Sequence, residues 1–284
     1  MYITKINTTE KFKQAKDFLL PYEADCVQLA SYVRKEMENL FVIKDDERTA
    51  GIIYAKGTFL HCIPDFEKRE EELTRVLSDF LLTHHVTTIN GSLSVSEKVS
   101  AILQAQGRKL LAEKRYFLMK ISAGDEVNPP ESPLTPDDEI KRCNNPEHDI
   151  DLLFELQEGF VKEEVAASWK NTSDAEIRLI LKQILKNQIC LALFSDGQAA
   201  AKVNTNAIGW NCVQIGGVYT HPRYRRNGYS WQLLYNLCRR ILRTGRSAVL
   251  FVKENNMPAR TLYQKLGFKD FARFSISYFD ENTK

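Results

Sequence analysis

No stretch of the 284-residue sequence approaches the roughly 18 to 20 apolar residues needed to span a bilayer, and the opening Met-Tyr-Ile-Thr-Lys-Ile lacks a signal-peptide core. A cytoplasmic location with no membrane attachment is the expectation. Cys-x-x-Cys pairs are missing as well. The six cysteines, at positions 26, 62, 143, 190, 212 and 238, are scattered through apolar stretches and read as buried thiols rather than disulfides or metal ligands. Nucleophile-elbow, Walker-loop and zinc spacings are absent. His84 and His85, read as neighbours on a strand, would face opposite sides, so no metal site is expected. An excess charge of one sign is also lacking: the net charge of +2 singles out no partner.

What is present is ordinary globular material, 43% hydrophobic and 27% charged, enough to build real cores. The length suggests two domains. Residues 122–137 hold four prolines and almost nothing apolar, and form the one convincing linker. The expected division is 1–121, linker 122–137, and 138–284.

The most informative stretch is His221-Pro-Arg-Tyr-Arg-Arg-Asn-Gly-Tyr-Ser230, which joins an apolar run, Val213 to Tyr219, to an amphipathic one, Trp231 to Leu242. A basic, glycine-containing turn that opens a helix is a phosphate site. Its backbone N–H groups are unpaired, the helix dipole adds positive charge, and Gly228 lets the main chain approach an anion. About 28 residues later comes Asn256-Met-Pro-Ala259-Arg-Thr-Leu262-Tyr263-Gln-Lys-Leu-Gly267-Phe268, after a second apolar strand.

Here the chain resembles the GCN5-related N-acetyltransferase superfamily. Arg225, Gly228 and Ser230 are similar to its Arg/Gln-x-x-Gly-x-Gly/Ala acetyl-CoA loop, and residues 256–268 to its Asn-x-x-Ala-x-x-Leu-Tyr-x-x-x-Gly-Phe signature. Ser230 departs from the usual Gly or Ala. The likeness is strongest over residues 199–279. It implies a mixed α/β fold, acetyl-CoA as cosubstrate, and transfer of its acetyl group to a primary amine by direct attack.

The element order agrees with that layout. In the second half we expect a strand at 139–143, helices near 147–165 and 173–187, and strands at 189–194, 198–206 and 212–219. The loop, a helix, a strand, a helix and a last strand at 272–279 complete it. The first half follows the same rhythm, with helices at 9–20 and 25–39 and three strands at 40–44, 49–55 and 58–63. A helix at 66–83, a strand at 86–90, a helix at 95–106 and a strand at 114–120 follow. Residues 64–70 can be laid on 222–228, and 103–109 on 263–269. Glu67 and Glu70 then stand where Arg225 and Gly228 do, and Leu103 where Tyr263 does. Carboxylates repel a pyrophosphate. We therefore expect two acyl-CoA N-acyltransferase-like domains, each a mixed twisted sheet flanked by helices, with a degenerate first copy and one cofactor per chain.

The loop of Arg225, Arg226, Asn227, Gly228, Tyr229 and Ser230 is expected to hold the pyrophosphate through backbone N–H groups. By resemblance, the main chain of Val218, Tyr219 and Thr220 pairs with the pantetheine arm, Asn256 contacts that arm, and Tyr263 protonates the departing sulfur. A phenol of pKa about 10 is protonated at neutral pH and can donate to a thiolate. Gly216-Gly217 is consistent with a bulge that opens the sheet. The strand before the loop has no carboxylate, which leaves Glu163 and Glu164 as the nearest candidate bases, with Trp169 as a candidate for the acceptor pocket.

An alternative is a non-catalytic acyl-CoA sensor or scaffold. Nucleic-acid binding is weaker: residues 221–246 hold seven Arg and no acid, but four of these cluster at a helix end, where cations complement the dipole. Expected partners are a small-molecule or peptide amine acceptor, and the chain is expected to be a monomer or homodimer.

Overall fold

The computed structural model describes residues 1–165 and 172–281. Its first half contains β1 (Tyr2–Lys5), α1 (Thr9–Leu19), α2 (Val27–Arg34), β2 (Leu40–Asp45), β3 (Arg48–Cys62), α3 (Glu70–Thr83), β4 (Val86–Ser92), α4 (Leu93–Ala105) and β5 (Leu110–Ile121). The second contains β6 (Asp138–Cys143), α5 (Pro146–Phe160), α6 (Asp174–Asn187), β7 (Cys190–Ser195), β8 (Gln198–Ile208) and β9 (Cys212–Thr220). It closes with α7 (Tyr229–Leu242), β10 (Ser247–Lys253), α8 (Met257–Leu266) and β11 (Lys269–Phe279).

The eleven strands of the described residues form one sheet, in the order β1-β2-β3-β4-β11-β5-β10-β9-β8-β7-β6. The order is nearly a palindrome of the two halves, and the last strands have changed places. β11 lies against β4 of the first half, and β5 lies against β10 of the second. They meet each other antiparallel along almost their whole length, from Lys269↔Lys120 to Phe279↔Leu110. Neither half closes its sheet alone. The sequence suggested two sheets joined by a linker; the strand exchange fuses them into one.

Local chemistry sets the boundaries. Ser173 caps α6 reciprocally with Glu176, and Asp196-Gly197 turns β7 into β8 with φ of 50° and 77°. Three expectations need correction. The strands at 49–55 and 58–63 are one strand, β3, in which Gly57 (φ 67°) bends the chain from its pairing with β2 to its pairing with β4 without a turn, so among the described residues the first half has one strand fewer than the second. The helix expected at 25–39 is a short 3₁₀ turn, Leu20–Asp25, followed by α2, which stops at Arg34. Finally, His84 and His85 sit in the turn after α3, where His84 stacks on Phe80, with ring centroids 3.8 Å apart.

Residues 122–137 are tied down despite their composition. The Asn128 and Ser132 carbonyls accept from Trp231 and Gln232 of α7, and Val127 and Leu134 pack on the core beneath. All six cysteines are buried and free.

Candidate active site

β9 and β10 pair in parallel only from Cys212↔Ser247 to Gln214↔Val249. Beyond that the strands part, and a cleft of about 1620 Å³ opens between Gly216–Thr220 on one side and Leu250–Lys253 on the other. A bulge marks the opening. Tyr219 faces Lys202 but Gly216 faces Asn204, so Gly217 and Val218 share one partner position. Gly217 has φ 60°, and a Cβ there would lie 1.9 Å from Asn204 Oδ1, so only glycine fits.

The loop at the cleft's end has the expected geometry. Arg226 (φ 69°) and Gly228 (φ 76°) are both left-handed, Gly228 faces open space, and no side chain caps the N-terminus of α7. Its first N–H groups are therefore available to an anion. Ser230 earns its place by bonding Thr220, Oγ to Oγ1 at 2.6 Å, which clasps the helix start to the end of β9. The Tyr229 ring is buried, its hydroxyl bonded to Asp138 and Ser195, so only its backbone faces the loop.

The carboxylates lie across the cleft in a π turn, Val161–Val165, that continues α5. Glu163 accepts two hydrogen bonds from Arg225 Nη2, both 2.8 Å, and one from the Tyr219 hydroxyl at 2.7 Å. Burial, then the bond to Glu163, pushes the Tyr219 phenol up to about 12. Glu164 pairs with Lys253 at 2.9 Å and accepts from Asn256 Nδ2 at 3.3 Å. Asn256 also caps α8 by accepting from Ala259 N. Tyr263, on α8, is 7% exposed and lines the cleft, and burial raises its phenol above the ordinary range. Val218, Thr220 and Arg226 line the cleft as well. Asn227 is exposed in the loop, and Trp169 lies outside the described residues.

The first half has no such opening. β3 and β4 pair as far as Leu60↔Asn90, four residues before Pro64, whereas β9 leaves β10 eight residues before Pro222. Glu70, laid on Gly228, has an ordinary helical φ of −57° and pairs with Lys98. His61 fills the space beside β4, where a Cβ on Gly91 would lie 2.2 Å from its Nε2; burial lowers this imidazole to about 3. The other proposed correspondence holds bond for bond. Gly107 N–H donates to Gln104 and Arg108 N–H to Leu103, just as Gly267 donates to Gln264 and Phe268 to Tyr263.

Three functional candidates escaped sequence reasoning. Lys202 is fully buried at the bulge, where its Nζ donates to Gly217 O (3.0 Å) and Asn204 Oδ1 (3.3 Å); burial lowers it to about 8. Gln157 is buried on α5, lines the cleft, and leaves its Oε1 without a partner among the described residues, a state that costs about 1 to 3 kcal/mol. Glu23, from the first half, accepts from Asn211 and Cys212 N–H at 2.9 to 3.1 Å in the second. A signal existed for two: Lys202 interrupts an apolar strand, and Gln157 shares the apolar helix face of Leu153 and Phe160.

A splayed parallel strand pair beside a left-handed loop and an uncapped helix defines the acyl-CoA N-acyltransferase-like fold. Residues 153–268 match the model of the acetyltransferase (GNAT) family. The whole chain also superposes on solved structures. A Drosophila protein matches with a TM-score of 0.71 at 13% identity, covering 97% of this chain and 98% of its own. A tandem GNAT protein from the clavulanic acid biosynthesis pathway matches at 0.58 and 12%, covering 99% and 98%. An acetyltransferase from the GNAT family of Colwellia psychrerythraea matches at 0.58 and 12%, covering 99% and 100%. At such identities these likenesses speak for the fold. No curated protein sequence matches the chain.

Proposed function

We propose that the protein transfers an acetyl group from acetyl-CoA to a primary amine, using one cofactor site, in residues 138–284, while residues 1–121 are a degenerate copy that completes the sheet. The observation that carries this is the coincidence of the open strand pair, the bulge at Gly217 and the uncapped N-terminus of α7 in one cleft. The N–H groups of residues 226–230 hold the pyrophosphate, with Arg225 and Arg226 adding charge. The freed main chain of Val218 to Thr220 binds the pantetheine arm as an added strand would.

Tyr263 donates its phenol proton to the sulfur that leaves. The phenol is protonated at physiological pH; burial, which raises its pKa and makes it a weaker acid, raises that of the leaving thiolate too, and so keeps the transfer to sulfur within reach. Glu163 and Glu164 stand at the cleft as the carboxylates nearest an incoming amine, and Asn256 holds Glu164 in position.

Calorimetry with acetyl-CoA should show one site per chain, and thiol release should follow on adding a primary amine. Tyr263→Phe is expected to lower kcat about 100-fold with acetyl-CoA affinity kept. Binding without transfer to any amine favours the sensor reading, and no binding at all refutes both.

A further inference from the structure

The cleft continues past the loop before α7 to the seam between the halves, where α2 of the first half contributes Gln28, Ser31 and Tyr32 to its wall and the residue after it contributes Lys35. Charge along it is unequal. The lining has four cations, Lys35, Arg225, Arg226 and Lys253, but only two carboxylates, Glu163 and Glu164, and Arg225 and Lys253 already hold those. Among the described residues, no free carboxylate lines the cleft to grip an ammonium group. The other polar groups there are carboxamides and hydroxyls. Two of these, Gln157 of α5 and Asn90 of β4, have a buried carbonyl oxygen without a donor among the described residues, and Gln157, 1% exposed, is the more deeply buried. A buried carbonyl in that state is satisfied by an N–H.

We infer that the acceptor is a primary amine with no second positive charge, bound at this seam as its free base with one N–H donated to Gln157 Oε1. The inference rests on the acetyl-transfer reading above. With Arg225 and Arg226 given to the cofactor, a second ammonium on a diamine or polyamine meets no free carboxylate among the described residues of the cleft, and removal from water disfavours the ammonium form of any amine that enters. Burial, more than a dedicated base, then supplies the nucleophile. In the transfer, the nitrogen lone pair forms the bond to the acetyl carbon and the carbon–sulfur bond breaks with its electron pair going to sulfur. Sulfur takes the Tyr263 proton. The proton shed by nitrogen passes to solvent, from which the phenol is restored.

Three amines of similar length test this: methoxypropylamine, beta-alanine and diaminopropane. Binding to the full chain saturated with CoA is read by calorimetry, and transfer from acetyl-CoA by thiol release. Methoxypropylamine and beta-alanine should bind at least about tenfold more tightly than diaminopropane. Gln157→Ala should weaken methoxypropylamine about tenfold and leave the CoA affinity unchanged. Gln157→Glu keeps the shape, adds a carboxylate, and should turn the preference towards diaminopropane, which also covers an alanine variant that fails to fold. Tighter binding of diaminopropane by the unaltered protein, or amine affinities that neither variant moves, overturns the inference. The expected binding order with no thiol release supports the amine site and overturns the transferase reading alone.

Discussion

Arg225 donates to both carboxylate oxygens of Glu163 at 2.8 Å, beside the open N-terminus of α7. The arginine that the sequence marks for the pyrophosphate is thus shared with an acid across the cleft. Its ring contact with Tyr219, 5.6 Å to the centroid, and the bond from its Nε to Thr220 O fix it along the last residues of β9. The π turn therefore reports to the cofactor loop through one ion pair.

Breaking that pair should favour the cofactor. A carboxylate about 6 Å from a phosphate costs about 0.7 kcal/mol even in water, so Glu163→Gln is expected to tighten acetyl-CoA binding about threefold or more. Both partners are nearly half exposed, so stability should change by less than about 1 kcal/mol. Calorimetry and urea unfolding read the two effects. Weaker binding would mean that Glu163 aims Arg225 at the cofactor.

Lys202 ties stability to pH. Its folded pKa, about 8, lies below the ordinary lysine value, so between about pH 8 and 10.4 the unfolded chain binds more protons than the folded one. Stability contributed at this position must then rise with pH across that window. Below it the full penalty of a buried charge applies. Relative to Lys202→Met, the unaltered protein should gain about 2.5 kcal/mol from pH 8 to 10.4 in paired urea titrations. A difference that is flat in pH would show that the ammonium is as well solvated in the fold as in water.

Glu23 is a side-chain stitch between the halves, in addition to the exchanged strands. Its carboxylate accepts the N–H groups of Asn211 and Cys212, and a Cβ on Gly209 would lie 2.1 Å from its Oε1. Glu23→Ala leaves buried donors without a partner, at an expected loss of about 3 kcal/mol in urea unfolding. Glu23→Gln, which keeps one acceptor oxygen, should lose about half as much. A loss below about 1 kcal/mol for the alanine variant would place little of the coupling here.

Local pattern made much of this legible. The cofactor loop, the bulge at Gly217 and the cap at Ser173 each depend on residues close in sequence, so spacing and residue type reveal them. Tyr263 was legible for the same reason. Glu23 was not, because it acts on backbone 188 residues away, and nothing around Leu20 to Asp25 marks it. The continuity of β3 across Gly57 was not legible, because a glycine between two apolar runs suits a bend within one strand as well as a break between two. The strand exchange was hidden most completely: β5 and β11 would have the same alternation whichever neighbour they joined.

That exchange makes the halves interdependent. Residues 138–284 on their own would keep β10 and β11 but lose β5, which joins them, and β11 would lose β4 as well. The buried residues Met119 and Ile121 of β5 would also leave the core of the second half, although the loop and α8 proposed to bind the cofactor are both retained. Exposed strand edges and missing apolar area both favour aggregation. The isolated half is therefore expected to elute as aggregate in size-exclusion chromatography and to show no acetyl-CoA heat. Mixing in residues 1–121 during refolding should restore a soluble one-to-one complex that binds acetyl-CoA. A truncated half that stays monomeric and binds the cofactor as tightly as the full chain would show that β10 and β11 can pair directly, and that the exchange is a consequence of tethering rather than a need of the fold.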